Sequence, residues 1–274
     1  MGTIAVTGAG SGIGAATAAR LQGDGHTVIG VDLKGAEVVA DVATPEGRAA
    51  AIAAITDRSG GALQGFVPCA GVAGMPDRAA SLLVSTNYFG TVELLEGLRP
   101  LLAAGAPSAA VAISSNSTST QPGYSNELVA ALLEGDEAAA RELADQDRGG
   151  SVNAYPASKK AVASWVRRQA ITPEWAGSGI TLNAVAPGMI DTPMIAEGRT
   201  DPAIAAGLEM FEATIAVGRP GRPEEIAGLI AYLLGPEARF FCGSIVYCDG
   251  GTDARFRADD WPALWEPGDF SFMS

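Results

Sequence analysis

Short apolar runs separated by longer, mixed stretches recur along most of this chain. Ile4-Ala5-Val6, Thr27–Asp32, Leu63–Cys69, Ala109–Ile113, Ile180–Ala186 and Ser244–Cys248 are such runs. They lack the in–out alternation of a half-solvated strand, so they predict strands buried on both faces. A further short strand is expected at Glu37–Ala40. Between the runs, helices are predicted from Ala15 to Leu21, Pro45 to Arg58, Ser81 to Leu102, Asn153 to about Ile171, Pro202 to Ile215 and Pro223 to Leu234. Strand–helix alternation of this kind predicts an α/β fold with a doubly wound parallel sheet. Ligands of such sheets bind beyond the carboxyl ends of the strands. Asp32, Ala70-Gly71, Ser114-Ser115 and Pro187-Gly188 all fall at those ends.

The rhythm breaks at residues 116–152, which are polar, with short helices expected at Asn126–Leu133 and Asp136–Asp147. The segment 255–274 carries Trp261, Trp265, Phe270 and Phe272 among prolines and acids. Such a tail is seldom free in water, and it is expected to dock on the body or on a second subunit. Residues 1–254 read as one domain, because the alternation runs through them without a linker.

The turn after the first strand is Thr7-Gly8-Ala9-Gly10-Ser11-Gly12-Ile13-Gly14. Glycine lets backbone approach a pyrophosphate and lets the following helix seat on the sheet. The helix start then offers free N–H groups and partial positive charge to phosphate. The next strand ends in Asp32, about 20 positions on, where a carboxylate binds adenosine ribose hydroxyls. A carboxylate there repels a 2′-phosphate, so NAD(H) is favoured over NADP(H). The loop 7–14 contains no Arg or Lys, which agrees, and Lys34 is the one nearby cation.

Composition narrows the field mainly by exclusion. The 274 residues, 47% of them hydrophobic, are enough for a full core. A net charge of −13 argues against nucleic acid or an anionic membrane as partner. There is no apolar run of membrane-spanning length and no visible signal peptide. Cys69, Cys242 and Cys248 form no metal spacing and no even disulfide set, so reduced thiols in a cytoplasmic protein are expected. No Lys-Ser/Thr follows the glycine loop, which disfavours a nucleoside triphosphatase. His26 lacks a visible partner set and reads as structural or surface.

Tyr155 and Lys159 are four apart on a predicted helix, hence on one face. A phenol is a poor base at neutral pH. A nearby ammonium and a positively charged nicotinamide are expected to favour the phenolate and lower its pKa. Such a tyrosine takes a proton from an alcohol, or gives one to a carbonyl. Ser114 or Ser115 offers a hydroxyl to the same oxygen, and strand alternation points them to opposite sides. Asn87 is an amide in an otherwise apolar helical stretch; it either caps neighbouring backbone or holds a water for chemistry.

With these residues in view, the chain resembles the short-chain dehydrogenase/reductase family over nearly its whole length. Gly8, Ser11, Gly12, Ile13 and Gly14 look like the family's cofactor loop, followed by Asp32 and Leu33, and Asp41-Val42 looks like its adenine contact. Cys69-Ala70-Gly71 resembles its Asn-Ala-Gly signature with Cys in the first place, a departure that weakens a turn-stabilising role. Asn87, Ser115, Tyr155 and Lys159 match its catalytic tetrad, and the resemblance favours Ser115 over Ser114. It also implies that Lys159 holds the nicotinamide ribose and that Asn87 supports a water in a proton relay. Pro187, Gly188, Ile190 and Thr192 look like its nicotinamide contacts, and Asp249-Gly250-Gly251 like a C-terminal signature. The implied fold is a single Rossmann-type domain with a helical insertion before Tyr155.

The insertion makes the chain look similar to bacterial 3α-hydroxysteroid dehydrogenase/carbonyl reductases. That resemblance implies NAD-linked chemistry on a steroid-like or other bulky apolar alcohol or ketone. A substrate loop is expected at 188–216, with Met189, Met194, Ile195, Met210 and Phe211 as its apolar wall. Other readings are the same chemistry on a terpenoid or small alcohol, or a non-catalytic NAD(H)-binding sensor. In this family the Tyr155 helix commonly packs on its symmetry mate. The insertion is therefore expected to change the subunit contact and favour a homodimer over a tetramer.

Overall fold

The computed structural model describes residues 1–121 and 123–261. Its frame is a seven-stranded parallel sheet in the order β3-β2-β1-β4-β5-β6-β7. The strands are β1 (Thr3–Thr7), β2 (Thr27–Asp32), β3 (Val38–Val39), β4 (Gly65–Pro68), β5 (Ser108–Ile113), β6 (Ile180–Pro187) and β7 (Ile245–Cys248). Chain order reverses between β1 and β4, and both strands end there beside the glycine loop.

Successive side chains of a strand point to opposite faces, and each face has its own core. Ile4, Val6, Val67, Val111 and Val185 meet Leu21 of α1 (Gly12–Gly23) and Ile226 and Ile230 of α11 (Pro223–Leu234). Ala5, Phe66, Ala110, Ala112 and Ala184 face the other layer. That layer holds α2 (Pro45–Arg58), α4 (Gly90–Ala104) and α8 (Gly150–Gln169). Small residues on β5 and β6 let Ala154, Ala157 and Ala161 of α8 approach closely, which carries Tyr155 and Lys159 to the sheet.

Several elements differ from the sequence expectation. The single helix expected over Ser81–Leu102 is α3 (Ala80–Val84), one wide π-helical turn over Ser85–Phe89, and then α4. Side-chain periodicity does not report such a turn, because every residue from Ser85 to Phe89 is buried. The helix expected from Pro202 is present as α10 (Pro202–Glu212), and Pro193 opens a further one, α9 (Pro193–Thr200). Proline's missing N–H costs nothing at that first position. Finally, α8 begins at Gly150, three residues earlier than expected, and short helices α5 (Ser117–Thr120) and α12 (Thr252–Phe256) are added.

The insertion forms the two expected helices, α6 (Asn126–Glu134) and α7 (Glu137–Gln146). Ser125 and Asp136 cap them by accepting from the N–H groups of Leu128 and Ala139. Of the tail aromatics, Trp261 is exposed, with the Arg257 guanidinium 5.8 Å from its ring centre. Trp265, Phe270 and Phe272 lie outside the described residues. Among the described residues, no helix is long and apolar enough to cross a membrane.

Candidate active site

The glycine loop is built by contact between backbones. A Cβ on Gly14 would lie 2.1 Å from the Gly8 carbonyl oxygen, and one on Gly8 would lie 2.8 Å from the Ala70 nitrogen. Gly8 and Gly12 have φ of +69° and +53°, which L-residues adopt only at a cost. The Thr7 hydroxyl accepts from the Ala70 N–H at 3.1 Å and ties the loop to the end of β4. Asp32 braces it from the other side. One carboxylate oxygen accepts from the Gly10 N–H at 2.9 Å, and the other from the Leu33 N–H at 2.7 Å. Asp41 accepts from the Ala43 N–H at 3.0 Å and fixes the wall beyond.

A cleft of about 440 Å³ runs across these strand ends. Its lining contains Gly8, Ser11, Gly12, Ile13, Gly14, Asp32, Leu33, Asp41, Val42, Ala70 and Gly71. Farther along are Ser115, Tyr155, Lys159, Pro187, Gly188, Ile190, Thr192, Met194 and Ile195. Four expected residues do not line it. Asn87 is buried behind the wall, and Met189 is packed under the end of β6. Met210 is exposed on α10, Phe211 beside it is half-buried, and neither lines the cleft. The cleft adds Cys69, Val72, Leu82 and Thr86, which sequence reasoning missed as lining. Cys69 carried a usable signal, since it ends an apolar run directly before Ala70-Gly71.

The polar groups gather at one end of the cleft. The Ser114 hydroxyl donates to the Lys159 carbonyl at 3.0 Å and so faces the helix backbone. Ser115 does not share that partner; its oxygen accepts from the Ser117 N–H at 3.1 Å, and its hydroxyl is near enough to Tyr155 to lower that phenol's pKa. Lys159 is 5% exposed and donates to the Ile113 carbonyl at 2.9 Å. The Asn87 amide pairs twice with the Val72 backbone, accepting at 2.8 Å and donating at 2.9 Å. Of the two roles the sequence leaves open, its side chain performs backbone capping.

The pKa directions show what burial does to this pair. Burial pushes the Tyr155 phenol up, and the Ser115 hydroxyl only partly offsets it. The lysine that was expected to lower it is itself desolvated, down to about 8. Its ammonium reaches the Ile113 carbonyl and lies 5.9 Å from the tyrosine ring centre. Burial by itself therefore keeps the phenol a protonated acid at neutral pH.

Comparison with known proteins matches this architecture. The short chain dehydrogenase family model matches residues 2–127, and the enoyl-(acyl carrier protein) reductase model matches residues 142–253. The chain is 38% identical to a 3-alpha-hydroxysteroid dehydrogenase/carbonyl reductase of Comamonas testosteroni, over 94% of this chain and 98% of that one. The chain belongs to the short-chain dehydrogenase family. Another relative is a cis-4-hydroxycyclohexanecarboxylate dehydrogenase of Sinomonas cyclohexanicum, 32% identical over 91% of this chain and 95% of that one. Among solved structures, a 3-alpha-hydroxysteroid dehydrogenase from Pseudomonas sp. B-0831 complexed with NADH superposes with a TM-score of 0.88. It is 46% identical and covers 94% of this chain and 99% of that one.

As a short-chain dehydrogenase, the protein is an NAD-dependent oxidoreductase, and the residues present fit that cofactor. A Cβ added at Gly8, Gly10 or Gly14 would meet backbone atoms within 3 Å, and the first turn of α1 keeps free N–H groups for a pyrophosphate. Asp32 presents a carboxylate where a 2′-phosphate would otherwise lie.

Proposed function

We propose that this dehydrogenase interconverts a secondary alcohol and a ketone on a bulky, largely apolar, steroid-like or cyclic substrate, with Tyr155 as acid and base. One observation carries the reading: the Tyr155 phenol and Ser115 hydroxyl adjoin in a cleft whose lining also includes the apolar Val72, Leu82, Met194 and Ile195. The substrate class is supported by two relatives, named for a 3α-hydroxysteroid and for a hydroxycyclohexanecarboxylate.

Bound NAD⁺ supplies the two-electron acceptor for alcohol oxidation, and NADH the donor for the reverse. Ser115 hydrogen-bonds the substrate oxygen and orients it against the phenol. In ketone reduction Tyr155 gives that oxygen its proton, which its raised pKa keeps available at neutral pH. In alcohol oxidation the phenol must first ionise, and the Lys159 cation favours the phenolate. Asn87 holds the Val72 wall beside the reacting oxygen.

The assembly proposed is a homodimer in the cytoplasm. It is supported by α6, which packs along α8 through buried Leu128 and Leu132, and by three free cysteines. Light scattering giving a clean tetramer would overturn the dimer.

The function is tested by following NADH fluorescence with a panel of steroid and monocyclic alcohols, on wild type and Tyr155→Phe. The expected result is turnover on a 3-hydroxysteroid that falls about 10²- to 10⁴-fold in the mutant, while NADH still binds. Turnover on monocyclic alcohols alone would remove the bulky substrate. Equal rates in both proteins would remove the role of Tyr155.

A further inference from the structure

The insertion has an inward face with its own chemistry. Glu137, Arg141 and Asp145 follow one another at intervals of four along α7, so they share a face. Ala140 and Ala144 between them are fully buried and seat the helix. Each of the three polar residues grips an element of the cleft. Asp145 accepts from the Ser81 N–H at 2.8 Å, at the start of α3. Arg141 donates to the Ser85 hydroxyl at 2.7 Å. Ser85 is fully buried, opens the wide turn and lies two residues before Asn87.

Glu137 reaches the opposite end of the cleft through one buried cation. Its carboxylate accepts from Arg48 Nη2 at 2.5 Å. Arg48 is 1% exposed, and its Nε donates to Glu93 of α4 at 2.6 Å. Its Nη1 reaches the carbonyls of Val42 and Ala43 at 3.4 and 3.5 Å, and both residues line the cleft. A buried guanidinium goes where its carboxylates hold it, because leaving it unpaired is costly. With Glu137 on one side and Glu93 on the other, Arg48 is centred under the Val42–Ala43 wall. With Glu93 alone, it is drawn toward α4.

We propose that α7 is a positioning element for the cofactor cleft. Glu137 acts through Arg48 on the Val42–Ala43 wall, and Arg141 acts through Ser85 on the turn that carries Asn87. The Arg141 half rests on Asn87 shaping the catalytic end; the Glu137 half needs only cofactor binding. The two residues therefore control different quantities, although they belong to one helix remote in sequence from both sites.

The test uses the full chain with Glu137→Gln, Arg141→Met and Arg141→Lys. Glu142→Gln, on the outer face where Glu142 bonds Gln146, is the control. NADH affinity is read by fluorescence titration, kcat on any alcohol the wild type oxidises, and folding by thermal melting. Glu137→Gln is expected to weaken NADH about fivefold with kcat unchanged, the effect of weakening one charge-assisted hydrogen bond. Arg141→Met is expected to lower kcat about fivefold with NADH affinity unchanged. Arg141→Lys, which keeps a donor for Ser85, recovers most of it, and Glu142→Gln changes neither quantity. Melting shifts with affinity and kcat both at wild-type values would overturn the proposal, as would affinity and kcat falling together in both variants. NADH titration needs no substrate, so a wrong substrate class leaves the Glu137 result decisive.

Discussion

At the adenosine end of the cleft the chain meets its ligand with backbone; at the catalytic end it does so with side chains gathered from two separate segments. Gly8, Gly12 and Gly14 work by what they lack, and Asp32 serves chiefly to brace the turn they form. Ser115, Tyr155 and Lys159 work through hydroxyl, phenol and ammonium groups whose properties are changed by burial. Damage to the first end should therefore appear as lost affinity, and damage to the second as lost rate.

Ser115→Ala should have the largest effect, lowering kcat about 10²- to 10³-fold as a substrate-oxygen donor disappears, with NADH affinity unchanged. Ser114→Ala is its sharpening control. That hydroxyl serves the Lys159 carbonyl, so the expected loss of rate is small. Equal losses from the two would break the distinction drawn between them. Gly14→Ala is the complementary change. Its methyl group would collide with the Gly8 carbonyl and force α1 off the turn. A strain of ~1–3 kcal/mol corresponds to roughly 5- to 150-fold in NADH affinity. Rate at saturating NADH should persist, and a collapse of kcat with intact affinity would contradict the comparison.

The smallest effect is a pH dependence of stability. Burial lowers Lys159 to about 8, so between there and its ordinary value of 10.5 the unfolded chain holds a proton that the folded chain has released. Stability from this residue rises with pH across that window. Cys69, pushed up to about 12 from 9.0, and Tyr155, raised from 10.0, act in the opposite sense at higher pH. The visible gain is confined to about pH 8–9. Over that step, melting of the ligand-free wild type should rise by about a degree or two relative to Lys159→Met. Parallel curves would show that the ammonium is not desolvated in the folded chain.

How far the sequence could be read follows the same division. The adenosine end was legible because its determinants are contiguous: a strand, a spaced set of glycines and a carboxylate one strand later. Tyr155 and Lys159 were legible because four residues is one helical turn. Which strand-end serine faced the tyrosine needed the observed partners of Ser114 and Ser115. Met210 and Phe211 were chosen by residue type, and α10 carries them without bringing either into the cleft lining. The Ser85–Phe89 turn left only the polar Asn87 as a trace. Arg48 was invisible, since nothing local distinguishes an arginine held by a distant glutamate from one in water.

The reversal of chain order between β1 and β4 has a consequence for the lifetime of the folded protein. The cleft is lined by strand ends on both sides of that reversal, so a dinucleotide bound along it would be released when either half of the sheet came apart. Occupancy then acts as a clasp by mass action. At a free concentration 100 times the dissociation constant it adds about 2.7 kcal/mol against unfolding. The resistance of this chain to heat and proteolysis is thereby coupled to the cellular supply of NAD(H).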